Sequence, residues 1–545
     1  MAFEPVSVTW PKERVLHVDA RVLVVDKPRG LPVHGGTPDF DDVVTRLARW
    51  LRERDEPEYL AVHSRLDKEV SGVLVFGRSL GDNQEVAREF ESRRVLKRYV
   101  AVVRDHGLPE RFEMRDRLIP AERGPTRVGR EGGVEAVTTG CVLSRLRGRA
   151  VVELRPHTGR RHQLRVQLAH RGAPICGDSL YGGDRALRLM LHAVGVESKA
   201  LGWHFESPAP EDFLGYGLDY GLGSSARLRR ALFDAAWLRE PLARASDAMR
   251  LVNAEGDGLP GVALERYGEF AVLELFSEEA MQRSGELCSI VRELGARGVY
   301  CKVRRRGDLR RANVDQLASA EAEIGEQAPE AFLIRECGVA SEVRLGDGWD
   351  VGIYLDQRDN RRRVMAAAKG RSVLNLFGYT GTFSVAAALG GAGRTVTVDL
   401  SGRALERARR NFELAQVESS GVHEFVRADV TEWLSRAKRA NQRFDLAILD
   451  PPSFSTTGRG KVFRLADAWD ALLEGTFSLL QPKGQMLVIS HERSSSQSSL
   501  RRRILRAAQA VGQPHPAVRD LHAGVDFPDW LDGPWPSFGL WVAPR

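Results

Sequence analysis

From about residue 344 onward, the chain alternates between strand-like and helix-like segments. Apolar β-type runs such as 372–379 (SVLNLFGY) and 395–401 (TVTVDLS) are separated by longer helix-like stretches such as 402–416. Strands that alternate with helices are connected in parallel, and the helices then cover both faces of the sheet. The pattern therefore predicts a doubly wound, Rossmann-like α/β domain over residues 344–545.

The rest of the chain shows a different pattern of predicted secondary structure. With 545 residues it is too long for one ordinary domain of ~100–200 residues. Residues 1–209 hold many short β-type runs and two amphipathic helical stretches, which predict a mixed-sheet α+β domain. Residues 210–226 are rich in glycine and predict a linker, and 227–343 predict a small α/β module. We therefore expect a multidomain protein of the α/β and α+β classes.

Composition limits the class of protein, its partners and its cellular compartment. The chain is 43% hydrophobic and 28% charged, which supports folded cores, and its net charge of +7 fits an RNA partner. Its five cysteines form no CxxC pair, which excludes a zinc ribbon and makes a disulfide scaffold improbable. No apolar run reaches the ~18 residues of a membrane span, and the start lacks the apolar core of a signal peptide. We expect a cytoplasmic protein with no membrane partner and no metal site.

Four ordered blocks in the first domain carry a candidate site. Asp67 lies just before a strand, in HSRLDKEVSG, and Tyr99 opens a later strand. They are followed by HTGRRHQLRVQLAHRG at 157–172 and by MLHA at 190–193. Together these blocks resemble the RluA family of pseudouridine synthases over about residues 15–205. Taken alone, Asp67 could be half of a surface ion pair and Tyr99 an ordinary strand aromatic.

The resemblance implies that uridine in RNA is isomerised to pseudouridine without a cofactor. Asp67 would be the carboxylate that acts on the sugar or base, Arg165 its partner, and Tyr99 the residue that stacks on the base. The further candidates for RNA or base contact are Arg65, Arg160, Arg161, His162 and Gln163. Arg160 and Arg161 could equally form a solvated turn.

Two positions depart from the family pattern. Ser64 stands where the family has a histidine directly before the arginine, and Val70 stands where it has a threonine. The target base must leave its stack to reach Asp67, which favours RNA loops as substrates. The departures put in doubt which uridine is chosen. They also leave open that this half only binds RNA.

A second set of motifs lies in the C-terminal domain. A strand runs into Phe377-Gly378-Tyr379-Thr380-Gly381 and a helix, so backbone amides can approach a ligand. Asp399, followed by Leu400, ends the next strand, where a carboxylate can accept ribose hydroxyls. Asp429 follows a third strand and is a candidate contact of the adenine amine. This cradle alone fits a dinucleotide as well as S-adenosylmethionine.

The segment Asp450-Pro451-Pro452-Ser453-Phe454 follows a fourth strand and favours S-adenosylmethionine. A strand that ends in Asp-Pro-Pro-aromatic is typical of methyltransferases that act on nucleic-acid bases. With GIYLDQRDNRRRV at 352–364, these motifs resemble the class I methyltransferases of large-subunit ribosomal RNA, the RlmI and RlmK type, over about residues 227–545. The resemblance implies that Asp450 takes part in catalysis, that Pro451, Pro452 and Phe454 bind the target base, and that 23S rRNA or its assembly precursor is the partner.

The methylated atom is argued from a missing residue. Methylation of cytosine C5 needs a cysteine thiolate to add to the ring, whereas guanine N7 is already nucleophilic. No cysteine occurs after Cys337, and the blocks DPPSFS at 450–455 and ISHERS at 489–494 look closer to the RlmK type, which methylates guanine N7. The resemblance therefore implies guanine N7 as our first expectation, with cytosine C5 as the alternative. His491 and Glu492 are candidates for the base pocket. Arg358, Arg361, Arg362 and Arg363 could grip RNA phosphates or simply form a solvated helix face.

Both sets of motifs in one chain predict a bifunctional RNA-modifying enzyme. Three alternatives remain at this level. The synthase-like half could merely present RNA to the methyltransferase, the whole chain could be a non-catalytic assembly factor, or the glycine cradle could serve an oxidoreductase.

Overall fold

A computed structural model describes residues 10–544, except 38–39, 122–123, 130, 214–220, 305–317, 418–421, 457–461, 493–495, 514 and 529–537. The side chains of 454–456 and 462 also lie outside the description. Within these ranges no helix is both long and apolar enough to cross a bilayer. The same residues contain no cluster of three or more histidine, cysteine or acidic side chains arranged to hold a metal ion.

The N-terminal region is built on one large mixed sheet. Its strand order is β1-β2-β4-β10-β5-β9-β8-β6-β7, with β3 paired to β4 and β11 paired to β10. The β4–β10 pairing is parallel, and the other pairings are antiparallel. The strands are β1 (Val15–Val18), β2 (Val22–Lys27), β3 (Ala61–Val62), β4 (Ser71–Gly77), β5 (Leu96–Arg104), β6 (Arg111–Ile119), β7 (Arg127–Gly129), β8 (Val134–Leu146), β9 (Arg149–Pro156), β10 (Leu191–Ser198) and β11 (Trp203–Glu206).

Strands β2 and β4 are buried along their whole length, including the charged Asp26 and Lys27 at the end of β2. Helices pack against this sheet: α1 (Val43–Arg52), α2 (Asn83–Glu91) and α3 (Gln163–His170). Asp42 caps α1 by accepting a hydrogen bond from the Thr45 amide. The sheet and its helices bring the two segments around Asp67 and Arg165 to one edge.

A smaller sheet follows, in the order β12-β13-β14-β15-β16. Its β14–β15 pairing is parallel and is connected through α5 and α6, and its other pairings are antiparallel. A hairpin of β17 and β18 stands beside it. The bounds are α4 (Ser225–Arg239), β12 (Ala248–Asn253), β13 (Val262–Tyr267), β14 (Phe270–Leu275), α5 (Glu278–Gln282), α6 (Ser284–Glu293), β15 (Gly298–Val303), β16 (Ile324–Gly325), β17 (Phe332–Glu336) and β18 (Val339–Val343).

The C-terminal region is a doubly wound sheet in the order β21-β20-β19-β22-β25-β27-β26. The pairings from β21 to β25 are parallel, and β27 is antiparallel to both of its neighbours. The fold class expected from the alternating pattern is confirmed. The elements are α7 (Arg358–Ala367), β19 (Ser372–Leu376), α8 (Thr382–Leu389), β20 (Arg394–Asp399), α9 (Gly402–Leu414), β21 (His423–Arg427), α10 (Val430–Arg439), β22 (Phe444–Leu449), β23 (Phe454–Thr456), β24 (Val462–Arg464), α11 (Leu465–Phe477), β25 (Leu480–Ser490), α12 (Gln497–Ala510), β26 (Ala517–Leu521) and β27 (Phe538–Ala543).

Helix α4 packs against both the first and the second region. Its Trp237 meets Trp10 edge to face at 5.4 Å, and Arg46 donates hydrogen bonds to the carbonyls of Trp237 and Leu238. Other α4 residues, such as Leu228, belong to the core of the smaller sheet. The helix therefore ties the two regions together.

The predicted linker 210–226 is described only in part. Phe213 is buried in the first core and Leu222 in the second, so both ends of the segment are packed rather than extended through solvent.

The second and third regions share a core as well. Tyr267 and Val272 of the small sheet pack with Ile353, Leu355 and Phe527 from the C-terminal region. Because these residues form one apolar cluster, the two regions pack against each other through a common core.

Candidate functional sites

The first candidate site is a cavity of about 770 Å³ at the edge of the N-terminal sheet. Its walls come from the loop before β4, from the start of β5 and from the loop that leads into α3. The residues predicted for this site that line it are Arg65, Asp67, Tyr99, Arg160, Arg161, His162, Gln163 and Arg165.

Asp67 and Arg165 meet in this cavity, although 98 positions separate them in the sequence. Arg165 Nη1 donates to Asp67 Oδ2 at 3.0 Å, while its Nε and Nη2 donate to both oxygens of Asp178, at 2.7 and 2.8 Å. The side chain of Asp178 is wholly buried. Burial alone would lower the pKa of Arg165, but Asp178 and Asp67 outweigh it and raise that pKa. The guanidinium is thus a fixed cation that aims Asp67.

Hydrogen bonds from Lys27 hold the loop that carries Asp67. Lys27 is fully buried at the end of β2, and its Nζ donates to the carbonyls of Pro28, Leu31 and Lys68 at 2.7–3.0 Å. Burial lowers the pKa of Lys27 to about 7.

Gly72 at the start of β4 allows a close approach to β10. It has φ +115°, and a Cβ there would lie 2.2 Å from the Ala193 carbonyl oxygen. Only glycine therefore lets β4 run so close to β10, which explains the Ser-Gly pair in the sequence.

Tyr99 is partly buried beside this pair. Burial and the charge of Asp67 together raise the pKa of its phenol, so the ring stays uncharged. His162 begins α3 in the left-handed region, at φ +54°, with its Nε2 3.7 Å from Asp67 Oδ2 and its Nδ1 2.9 Å from the Tyr181 hydroxyl. Burial lowers the pKa of His162, which therefore is neutral at pH 7.

The predicted substrate-binding role of Gln163 is corrected. It was expected to bind substrate, but it is 4% exposed and its amide is engaged within the protein. Its Oε1 accepts from the Thr158 hydroxyl and the Arg160 amide, and its Nε2 donates to Thr138 Oγ1 and the Val137 carbonyl. A buried amide with four internal hydrogen bonds shapes the loop instead of reading a base.

The basic residues at the rim differ in how firmly they are held. Arg160 Nε donates to the Glu135 carbonyl and Arg161 Nη1 to the Ala121 carbonyl, both through single contacts. Arg65 is exposed and lies 3.5 Å from His34 Nε2. At the two departures from the family pattern, Ser64 lines the cavity and Val70 is buried in the core.

The second candidate site is a cavity of about 580 Å³ at the carboxyl edge of the C-terminal sheet. The ends of neighbouring parallel strands meet here, which is where open α/β sheets bind ligands. The predicted residues that line it are Phe377, Gly378, Asp399, Leu400, Asp429, Asp450 and Pro452, together with Arg361 and His491. Pro451 is buried beside the cavity but does not line it.

The carboxylates of this cavity are oriented by backbone amides. Asp399 accepts from the Tyr379 amide at 2.9 Å and from the Ser401 amide at 2.8 Å. Asp429 caps α10 by accepting from the amides of Thr431 and Glu432. Each aspartate is thereby fixed at a strand end, with the apolar rings of Phe377 and Phe463 as the neighbouring wall.

Asp450 makes a side-chain contact instead. Its Oδ1 lies 2.8 Å from His491 Nε2. Burial would lower the pKa of His491, but the charge and hydrogen bond of Asp450, with a contribution from Asp356, raise it to about 9. His491 is therefore protonated at pH 7. Two strand ends, those of β22 and β25, thus join in one ion pair at the mouth of the cavity.

The predictions for two residues of the glycine-rich turn, Thr380 and Gly381, are also corrected. Thr380 was expected to bind the cofactor, but it is buried and its hydroxyl donates to the Gly352 carbonyl at 2.6 Å. Gly381 does not line the cavity; it has φ +73°, and a Cβ there would lie 2.8 Å from the Ala408 side chain. These two residues shape the turn, while Phe377, Gly378 and Tyr379 face the cavity.

The arginines of α7 divide into two groups. Arg358 and Arg361 are each 2% exposed, so both alternatives expected from the sequence, phosphate contact and a solvated helix face, are wrong for them. Arg358 pairs bidentately with Asp526 and Arg361 with Glu336, at 2.7–2.8 Å. Arg362 and Arg363 are more exposed and remain candidates for RNA contact.

Two further candidates have different outcomes. Glu492 accepts a hydrogen bond from Trp469 Nε1 at 3.4 Å and does not line the cavity. The side chain of Phe454 lies outside the described part of the chain. The structure adds Lys27, Asp178, Tyr354 and Tyr379 to the residues around the two sites. Tyr354 and Tyr379 lie inside the quoted motifs, but no role was predicted for them.

Two family models match the chain. One, described as RNA pseudouridylate synthase, matches residues 21–170, and the other, described as S-adenosylmethionine-dependent methyltransferase, matches residues 288–532. Both resemblances seen in the sequence are therefore confirmed. The residue roles within each half are a separate question.

Curated relatives of the chain include ribosomal RNA large subunit methyltransferases. A ribosomal RNA large subunit methyltransferase of Deinococcus radiodurans is 34% identical over 295 residues, which cover 53% of this chain and 71% of that protein. Ribosomal RNA large subunit methyltransferase I of Aeromonas salmonicida is 31% identical over 363 residues, covering 66% and 87%. The structure of a SAM-dependent methyltransferase from Streptococcus mutans superposes with a TM-score of 0.53 at 24% identity, covering 65% and 88%, and shows the shared fold.

Proposed function

The chain belongs to the family of ribosomal RNA large subunit methyltransferases and carries an RNA pseudouridylate synthase domain, and from this premise we propose one bifunctional enzyme. Its N-terminal half isomerises uridine, and its C-terminal half methylates a base of large-subunit ribosomal RNA or its precursor in the cytoplasm. The observation that carries this proposal is the pair of separate, carboxylate-bearing cavities: one around Asp67 and Arg165, the other around Asp399 and Asp450.

In the first half, the bond between uracil N1 and the sugar C1′ breaks and a bond from C5 to C1′ forms, while the C5 proton is lost and N1 gains one. Asp67 would act on the sugar or base as an anion, held in place by Arg165 and the buried Asp178 behind it. Tyr99, kept neutral, would stack on the uncharged base. We assign no cofactor to this half.

In the second half, the residues fit S-adenosylmethionine. Asp399 would accept the ribose hydroxyls and Asp429 the adenine amine, because both carboxylates line the cavity at the ends of neighbouring strands. Bound S-adenosylmethionine supplies a methyl group on a positively charged sulfur. Asp450, paired with His491, would hold the target base at the strand end, and Pro452 would shape the entrance.

For the methylated atom we propose guanine N7. The described lining of the cavity contains no cysteine, and the sequence has none after Cys337. Guanine N7 needs only positioning against the methyl donor, whereas cytosine C5 needs a thiolate to activate the ring. Cytosine C5 is the second candidate and would require an activating group other than cysteine.

One experiment tests both halves. Purified protein is incubated with unmodified, transcribed 23S rRNA and S-adenosylmethionine, and pseudouridine is mapped by carbodiimide labelling while methylated nucleosides are identified by mass spectrometry. We expect pseudouridine and 7-methylguanosine. Methylation without pseudouridine would leave the first half as an RNA-binding module, 5-methylcytidine would select the second candidate, and neither product would contradict the proposal.

A further inference from the structure

A further cavity of about 230 Å³ lies between the small β12–β16 sheet and the C-terminal region. It shares three lining residues, Tyr354, Tyr379 and His491, with the cavity assigned to the cofactor. Any group that fills this cleft therefore stands next to the methyl donor's site. The motifs in the sequence gave no sign of it, because its inner wall comes from the small sheet.

The inner wall is a cluster of charged and aromatic side chains. Arg250 Nη2 lies 2.7 Å from Glu265 Oε1, and the Tyr267 hydroxyl donates to Glu265 Oε2 at 2.8 Å. Arg304 donates twice to Glu274 Oε1, at 2.8 and 2.6 Å. These contacts fix the cluster in place, because each charged group is held by a neighbour of opposite charge.

Within this charged cluster, Glu274 has one carboxylate oxygen, Oε2, that can accept a hydrogen bond from a ligand. It is 6% exposed, and its Oε2 lies 3.8 Å from Arg250 and accepts no hydrogen bond among the described residues. Burial would raise the pKa of Glu274, but Arg304 and Arg250 outweigh it and lower that pKa, so the group is an anion. An anionic oxygen that faces a cavity and accepts no hydrogen bond from the described residues calls for a donor from a ligand.

The overall charge of the lining indicates what kind of ligand fits. The lining holds four carboxylates, those of Glu265, Glu274, Asp350 and Asp356, and three cations, which are Arg250, Arg304 and the protonated His491. With no net positive charge, the cleft does not attract a phosphate but suits a neutral base that presents hydrogen-bond donors. The aromatic side chains of Phe276, Trp349, Tyr354 and Tyr379 offer surfaces on which such a base can stack.

The cleft also has fixed walls. Buried Asp526 accepts both hydrogen bonds of Arg358 from the C-terminal region, and its Oδ2 accepts from the Arg250 amide of the small sheet. Arg250 further lies over the Phe527 ring at 5.1 Å. These contacts join the two walls of the cleft directly.

We infer that this cleft receives the extruded target guanine, with Glu274 Oε2 accepting a hydrogen bond from the exocyclic N2 amine. The inference rests on the proposed methyltransferase activity and deepens it. In guanine, N2 lies on the side of the base away from N7. A guanine held at Glu274 by N2 therefore turns N7 toward Tyr379 and His491, where the methyl donor's site begins. Cytosine carries its exocyclic amine at N4, directly beside C5, so a cytosine held at Glu274 by N4 would keep C5 near Glu274 instead of turning it toward Tyr379 and His491.

The test uses Glu274→Gln in the full-length protein. We expect kcat/KM for guanine methylation to fall about 10- to 100-fold, the range for a lost hydrogen bond to a charged group. The affinity for S-adenosylmethionine, measured by calorimetry, and the pseudouridine yield of the same chain should not change. The matched control is Glu269→Gln, since Glu269 also pairs with an arginine on the small sheet, Arg297 at 2.6 Å, but lies outside the cleft.

A second measurement avoids any question of folding. The methylated nucleotide is first mapped with the wild-type enzyme, and a synthetic RNA is then made with inosine, which lacks the N2 amine, at that position. Wild type should methylate the inosine RNA about 10-fold or more slowly, and Glu274→Gln should discriminate far less between the two RNAs.

Two results would overturn the inference while leaving methyltransferase activity intact: equal rates of wild type and Glu274→Gln on guanine, or methylation of cytosine instead. No methylation by wild type on any RNA would instead remove the proposed function on which the inference rests.

Discussion

The two cavities hold their carboxylates by different means. In the N-terminal cavity, Asp67 is aimed by a side chain, Arg165, which is itself clamped by the buried Asp178. In the C-terminal cavity, Asp399 and Asp429 are aimed by backbone amides of the residues that follow them in the chain or in the neighbouring turn. The first arrangement depends on a few replaceable side chains, and the second on the fold itself. Substitutions should therefore affect the two halves independently and to different degrees.

The largest effect is expected for Asp67→Asn. Removing the reactive carboxylate should lower pseudouridine formation by about a thousandfold or more, as for other residues that act directly on the reacting bond. Methylation by the same molecules should stay within about twofold of wild type, because distant sites behave additively. Carbodiimide mapping and methyl incorporation on one RNA sample measure both. A parallel loss of both products would refute independent sites.

The next effect is expected for Asp450→Asn. This change removes the charged partner of His491 at the mouth of the second cavity, and methylation should fall about 10- to 100-fold. Pseudouridine formation should be unaffected. Asp470→Asn is the control, since Asp470 pairs with Arg503 on the surface at 3.0 Å. Equal methylation by the two variants would show that Asp450 has no part in the reaction.

A smaller effect should follow from Asp178→Asn. Arg165 would keep its contact with Asp67 but lose its charged clamp, and kcat for pseudouridine formation should fall about 10-fold with little change in KM. Single-turnover kinetics separate these terms. If KM alone changed, Asp178 would be supporting RNA binding rather than the orientation of Arg165.

The pH profiles of the two halves should also differ. The folded-state pKa of His491 is about 9, above its ordinary value of 6.5. The ion pair with Asp450 therefore contributes fully below pH 6.5 and is lost as the pH rises through 9. Methylation should decline around pH 9 in wild type, and this step should be absent in Asp450→Asn. Such a decline in pseudouridine formation as well would point to a general effect on the RNA or the fold.

The smallest effect is expected for Arg161→Ala at the rim of the first cavity. Arg161 is exposed and makes one hydrogen bond, to the Ala121 carbonyl. If it contacts phosphate, the RNA affinity should fall about threefold and the salt dependence of binding should decrease by about one charge. Filter binding over a salt series measures this. An unchanged salt slope would assign Arg161 to a solvated turn.

Much of the C-terminal site could be predicted from the sequence. The alternation of strands and helices places every strand-end residue at one edge of the sheet, so Asp399, Asp429 and Asp450 had to lie close together. The same reasoning failed for Thr380 and Gly381, because whether a loop residue faces the cavity or the neighbouring chain depends on the turn's local geometry. It also failed for Arg358 and Arg361, whose charge suggested solvent but whose partners, Asp526 and Glu336, bury them.

The N-terminal site was found by motif rather than by periodicity. Blocks in the right order identified Asp67, Tyr99 and Arg165, but nothing in their spacing revealed that Lys27 anchors the Asp67 loop or that Asp178 clamps Arg165. Gln163, which lies in one of those blocks, proved to be an internal support.

By itself, the sequence determined the fold classes, the two families and the residues at the ends of the strands, since these follow from local patterns of apolar side chains, glycines and short motifs. Only the tertiary structure decided which charges are buried in pairs and what holds each carboxylate in place. It also showed that the β12–β16 sheet forms one wall of a further cleft beside the C-terminal cavity. The reason is physical: a buried charge is stable only beside a partner, and partners such as Arg358 and Asp526, 168 positions apart, meet only when the whole chain has folded.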